Sequence, residues 1–190
     1  MVKIGIICEG RTEEILFLSK NFKGWLSSKN IILIDVVYAE GSGNLLPNNI
    51  TRYVESLELR GAEKIIIITD LDNDTCITST KQRINARPHD IVVIAVKQIE
   101  AWFLACTDTM RKVLKQASFE FAYPENEQMP FETINQLFVT NVGRGIGKKS
   151  AGKIKLVTSL LNAGLDISQA ANHPNCPSAA YFINKLNNLN

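Results

Sequence analysis

Apolar residues follow two rhythms along the first hundred positions. Short, nearly unbroken runs rich in isoleucine and valine occupy Lys3–Cys8, Ile31–Tyr38, Ile65–Ile68 and Ile91–Val96. Their length and β-branched content predict buried strands. Between them, apolar residues recur every third or fourth position. Ile15, Leu18, Phe22, Trp25 and Leu26 mark one helix after Glu9-Gly10, and Ile50, Val54, Leu57 and Leu59 mark a second that stops near Gly61. A polar helix containing Gln82 and Arg83 separates the third and fourth runs. Strands apolar on both faces belong to sheets covered by helices on both sides, and strand–helix alternation predicts crossovers between parallel neighbours. The expected fold is α/β, a parallel sheet of about four strands flanked by helices.

Beyond Trp102 the pattern becomes short helices joined by polar or proline-bearing loops, such as Tyr123-Pro124-Glu125 and His173-Pro174-Asn175-Cys176-Pro177. The expected division is an α/β domain over residues 1–106 and a helical extension over 107–190 that packs on it. Trp102 and Phe103 read as core. Ser178 reads as the N-cap of a last helix that buries Phe182, Leu186 and Leu189.

Composition narrows the picture. The 190 residues are 45% hydrophobic and 21% charged with a net charge of +2, too balanced for a duplex-coating protein, so any nucleic-acid contact must come from a local patch. No apolar run approaches the ~20 residues of a membrane span, and the first residues lack a signal-peptide pattern. Cys8, Cys76, Cys106 and Cys176 are widely spaced, with no CxxC pair, and read as reduced thiols of a cytoplasmic protein.

Three strand ends carry carboxylates: Glu9 after the first run, Asp70 and Asp72 after the third, Glu100 after the fourth. In a parallel α/β sheet these ends share one edge, where ligands bind. Asp70, Asp72 and Asp74 alternate, so they point the same way while the chain stays extended. Like charges ~4 Å apart repel by about 4 kcal/mol at an effective dielectric of 20. A hard cation such as Mg²⁺, which takes one or two carboxylates plus other oxygens, reverses that balance. Plainer roles remain open for each residue alone. Glu13 and Glu14 suit a helix N-terminus, Asp72-Asn73-Asp74 suits a turn, and Glu100 suits a solvated helix face. An EF-hand beginning at Asp70 fails, because Thr75 and Lys81 stand where Gly and Glu are required. An aspartyl-phosphate phosphatase draws its aspartates from the first strand, and it would leave Glu9 without a role.

Glu9-Gly10-Arg11-Thr12-Glu13-Glu14 after one strand and Asp70-Leu71-Asp72 after a later one resemble the TOPRIM domain. That metal-binding fold serves topoisomerases, bacterial primases and the overcoming-lysogenization-defect (OLD) nucleases. Gln98-Ile99-Glu100-Ala101-Trp102-Phe103-Leu104 and Asn175-Cys176-Pro177-Ser178 resemble a stand-alone TOPRIM-like family of unknown function, often associated with bacterial defence or ATPase genes. The resemblance implies Glu9 as general acid/base or metal ligand, Asp70 and Asp72 as ligands of Mg²⁺ or Mn²⁺, and Glu13 and Glu100 as candidates for a second ion. It also implies nucleic acid as substrate and an ATPase from a neighbouring gene as partner. No strand-passage tyrosine domain, zinc domain or ATPase accompanies these motifs, so topoisomerase and primase activities are not expected of this chain alone.

A basic segment follows at Asn141–Lys155. From Gly147 to Lys153 its spacing matches a P-loop, but Ile154 stands where Ser or Thr should meet Mg²⁺. A glycine loop feeding a helix is the better reading, with Lys149 and Lys153 on one face at i, i+4 spacing. With Arg144 they can hold phosphates or offset charge in phosphoryl transfer, or simply form a solvated helix start. Two functions are therefore expected to compete. One is a Mg²⁺- or Mn²⁺-dependent nuclease using Glu9, Asp70, Asp72, Lys149 and Lys153. The other is a non-catalytic metal- or nucleic-acid-binding subunit of an ATPase complex.

Overall fold

A computed structural model describes residues 1–72 and 74–189, the side chain of Lys149 excepted. The four apolar runs form β1 (Val2–Cys8), β2 (Ile31–Tyr38), β3 (Lys64–Asp70) and β4 (Ile91–Ala95), a parallel sheet in the order β2-β1-β3-β4. The α/β architecture expected from the sequence is the one observed. Helices α1 (Arg11–Leu18), α2 (Lys20–Ser28), α3 (Pro47–Leu59) and α4 (Ile77–Ile84) lie between the strands. After β4 come α5 (Ile99–Ala105), α6 (Thr107–Leu114), α7 (Pro130–Val142), α8 (Lys149–Asn162) and α9 (Pro177–Asn187).

Strand periodicity sorts the isoleucines between two cores. Ile4, Ile6, Ile66 and Ile68 face a large cluster with Leu16, Phe17, Trp102, Leu156 and Phe182. Ile7, Ile65 and Ile67 face a smaller one with Ile50, Val54, Leu57 and Ile84. The 107–190 segment thus covers the same sheet face as α1 and α2, while α3 and α4 cover the other.

Three local expectations need correction. The helix predicted after Gly10 is two helices, because Ser19 is extended (φ −62°, ψ 151°) and its hydroxyl accepts from Phe22 N–H to cap α2. Leu59 is 90% exposed at the last turn of α3, so its place in the apolar spacing does not carry it into the core. Ser178 is not an N-cap: Cys176 precedes α9 and Pro177 begins it. The Ser178 hydroxyl turns inward instead, donating to Glu125 Oε1 at 2.6 Å while accepting from Trp102 Nε1 at 2.7 Å and Val96 N–H at 3.3 Å. This buried knot ties α9 to α5 and to the end of β4. The four cysteines are unpaired, and among the described residues no helix is long and apolar enough to cross a membrane.

Removing the Ser178 hydroxyl leaves the Trp102 donor unsatisfied and the buried Glu125 carboxylate one donor short. Ser178→Ala is expected to cost about 1–3 kcal/mol in urea unfolding; an unchanged midpoint would show that the knot contributes nothing.

Candidate metal centre

The strand order places the switch point of the sheet between β1 and β3, since the chain leaves β1 for β2 on one side and later returns to β3 on the other. Crevices at the C-terminal ends of such strands bind ligands. Glu9 leaves β1 there, and its Oε2 accepts from Thr69 Oγ1 at 2.5 Å and from Asp70 N–H at 3.3 Å. Both bonds fall on one oxygen, so the glutamate bridges the two strand ends with its carboxylate orientation fixed. Asp70, the last residue of β3, accepts on Oδ1 from Ile99 N–H at 2.8 Å, which joins the first turn of α5 to the same edge.

Two further glutamates enter from helices. Glu13 lies in the first turn of α1 and is 5% exposed; Glu100 lies in the first turn of α5 and is fully buried. Gly10 makes room for Glu13: a side chain there would begin 3.0 Å from Glu13 Oε2. Opposite them, α8 delivers Lys153, whose Nζ lies 3.0 Å from Glu100. Gly152 permits this approach, because any Cβ would sit 2.6 Å from the Phe131 ring and 2.9 Å from the Gly147 carbonyl. The resulting cleft, about 420 Å³, is lined by Glu9, Glu13, Asp70 and Lys153, with Arg11 and Tyr38 at its rim.

One ammonium cannot neutralise four carboxylates. Burial, then repulsion from Glu100 and Glu9, raises the Glu13 pKa to about 7, against partial relief from Lys153. Asp70 is raised well above the ordinary aspartate range by burial first, then by Glu13, Glu100 and Glu9. Burial works against the Lys153 ammonium, but Glu100, Asp70 and Glu13 outweigh it and its pKa rises. Cys8, beneath the cluster, is pushed far up by burial and by Glu13 and Glu14, which makes it an inert thiol.

Glu9, Glu13, Asp70, Glu100 and Lys153 are thus brought together. Asp72 is not brought in with them. The chain leaves the extended state at Asp72 (φ 46°), its N–H donates to Lys97 O at 2.8 Å, and its exposed carboxylate accepts from Gln98 Nε2 at 3.1 Å. That turn ends the alternation expected of Asp70, Asp72 and Asp74. Asp74 holds Thr80 and Arg83 in α4, and Glu14 pairs with Arg11. Lys149 begins α8, but its side chain lies outside the described residues. Thr69 is not among the residues the sequence singles out, although a single hydroxyl ending the run Ile65–Ile68 is a signal; Gly10 stands in the Glu9–Glu14 motif without a role of its own.

The donor set, carboxylate oxygens whose protonation equilibria are shifted by burial and then by mutual repulsion, is of the kind a hard dication takes. Among the described residues no three His, Cys, Asp or Glu side chains close into a cage on their own. A Mg²⁺ held here would take one or two of these carboxylates and complete its shell with water and substrate oxygens.

Fold and cleft define a parallel α/β protein with a largely buried acidic cluster at its strand ends. The chain belongs to the family described as Domain of unknown function (DUF4276), whose model matches residues 8–187. Among solved structures it is similar to the C-terminal region of the Burkholderia pseudomallei OLD protein, with 14% identity, a TM-score of 0.48, and coverage of 98% of this chain and 99% of that one. At that identity and superposition the likeness assigns no residue a role. No curated protein matches the chain.

The Glu13 carboxyl gives a pH signature. Its pKa is raised on folding, so its stabilising contribution is complete below about pH 4.5 and is lost as pH rises through about 7. In chelator, wild type is expected to lose about 3 kcal/mol over this window relative to Glu13→Gln, and Mn²⁺ should recover part of the loss. Parallel stability–pH curves for the two proteins would contradict the assignment.

Proposed function

We propose that the chain is a Mg²⁺- or Mn²⁺-dependent phosphodiester hydrolase acting on nucleic acid. The observation that supports this most is the buried set Glu13, Asp70, Glu100 and Glu9 around a cleft open to solvent, with Lys153 as its counter-charge. Asp70 and Glu13 are the residues assigned to hold the ion, with Glu100 behind them. A bound dication supplies a lowered pKa for its water and charge stabilisation for the attacking and leaving oxygens.

The remaining roles belong to the protein. Glu9, with Oε2 held by Thr69 and the Asp70 N–H, presents its other oxygen as acceptor for a proton leaving the nucleophile. Lys153 offsets charge at the phosphate as it shifts between Glu100 and substrate, and Lys149, one turn earlier on α8, is its assigned partner. Asp72, outside the cleft lining, is assigned only to a second, weaker ion. Arg11, half over the Tyr38 ring at 5.5 Å, is placed to meet the nucleic-acid backbone at the entrance.

Purified protein with Mn²⁺ is expected to cleave end-labelled DNA or RNA, and Asp70→Asn or Glu9→Gln should each lower the rate by roughly 10²-fold or more. Failure of wild type to cleave either polymer would remove the hydrolase reading.

One observation favours a second reading. With Lys153 Nζ 3.0 Å from Glu100, an ammonium already occupies part of the space a cation would take, as in a structural ion-pair network. The chain would then be a binding subunit working with an ATPase partner. Retained cellular function after Glu9→Gln, with co-purification of that partner, would select it.

A further inference from the structure

Helix α8 has a second charged face. Between Glu132 and Asp166 the sequence holds five cations (Arg144, Lys148, Lys149, Lys153 and Lys155) and no acid. Lys153 turns to the acidic cleft. Lys155, two residues on and so about 200° round the helix, instead lines a separate cleft of about 570 Å³ with Arg144 and Lys115. Among the described residues no carboxylate lines that cleft. Among the described residues, none of these three side chains forms an ion pair or a hydrogen bond, whereas in two other clefts Arg111 and Arg87 are already paired with Asp108 and Asp90.

The floor is apolar, formed by Val113, Phe138 and Ile146. The loop that supplies Ile146 and Arg144 is pinned, because Asn135 Oδ1 accepts from Ile146 N–H at 2.7 Å. Lys115 adopts a left-handed conformation (φ 54°) at the end of α6, where glycine or asparagine is the ordinary residue.

We infer that this cleft is a nucleotide-binding site distinct from the acidic centre, with the phosphate on Lys115, Arg144 and Lys155 and the base against Phe138 and Ile146. Three cations gathered around one cleft without an acid among them attract an anion. The apolar floor demands that the anion carry a flat hydrophobic part, and the volume suits a ligand of mononucleotide size. The same chemistry is offered by a free nucleotide and by the phosphorylated end of a nucleic-acid strand.

Calorimetric titration of the full chain in EDTA distinguishes these sources and tests the site. The probes are adenosine monophosphate, inorganic phosphate, and a 5′-phosphorylated tetranucleotide. Adenosine monophosphate or the tetranucleotide is expected to bind at least tenfold more tightly than inorganic phosphate. Lys155→Gln and Arg144→Gln, both at exposed positions, should each weaken that binding roughly tenfold, while Asp70→Asn leaves it unchanged. Preference for the monophosphate identifies a free nucleotide, and binding of the tetranucleotide alone identifies a strand end. The inference is overturned if neither probe binds, if phosphate binds equally well, or if Asp70→Asn abolishes binding that Lys155→Gln leaves intact.

Discussion

The repulsion among Glu9, Glu13, Asp70 and Glu100 is the constraint around which the other features of the sheet edge are arranged. In partly desolvated surroundings, like charges gathered in this way oppose folding. The fold holds the group together because each carboxylate comes from a different, well-anchored place: the ends of β1 and β3, and the first turns of α1 and α5. Burial first, and that repulsion second, raise the Glu13 and Asp70 pKa values, and Lys153 relieves only part of the effect.

Helix α8 links the two halves of the chain chemically as well as sterically. Leu156, Val157 and Leu160 enter the core shared with β1 and β3, which fixes the helix, and Lys153 follows from that seating. The Ser178–Glu125–Trp102 knot performs the corresponding task at the other end of the extension. Residues 107–190 therefore contribute the cationic side of a centre whose anionic side comes from the ends of β1 and β3 and the first turns of α1 and α5.

Most of the sheet was readable because isoleucine runs are unambiguous when both faces are covered. The convergence of Glu9, Asp70 and Glu100 was readable too, because parallel strands place their C-terminal ends on one edge. What the sequence concealed was local backbone conformation. The φ of 46° at Asp72 breaks an alternation that looks regular on paper, and Ser19 interrupts a helical spacing that looks continuous. The depth of Glu13 was hidden for another reason. An acid in a first helical turn is normally explained by the helix dipole, and only the packing of Gly10, Glu100 and Lys153 around it reveals a buried group. The likeness of Gln98–Leu104 and Asn175–Ser178 to a family of unknown function agrees with the family match. Their structural content is now visible as the Trp102–Ser178 contact.

The most direct measurement is a crystal grown at neutral pH and soaked in Mn²⁺, with anomalous diffraction recorded at the manganese edge. A peak is expected roughly 2.0–2.3 Å from oxygens of Asp70 or Glu13, with Lys153 displaced from Glu100. A fully loaded crystal whose only peaks lie at Asp72, Asp74 or the outer surface, with Lys153 still seated on Glu100, would contradict that placement.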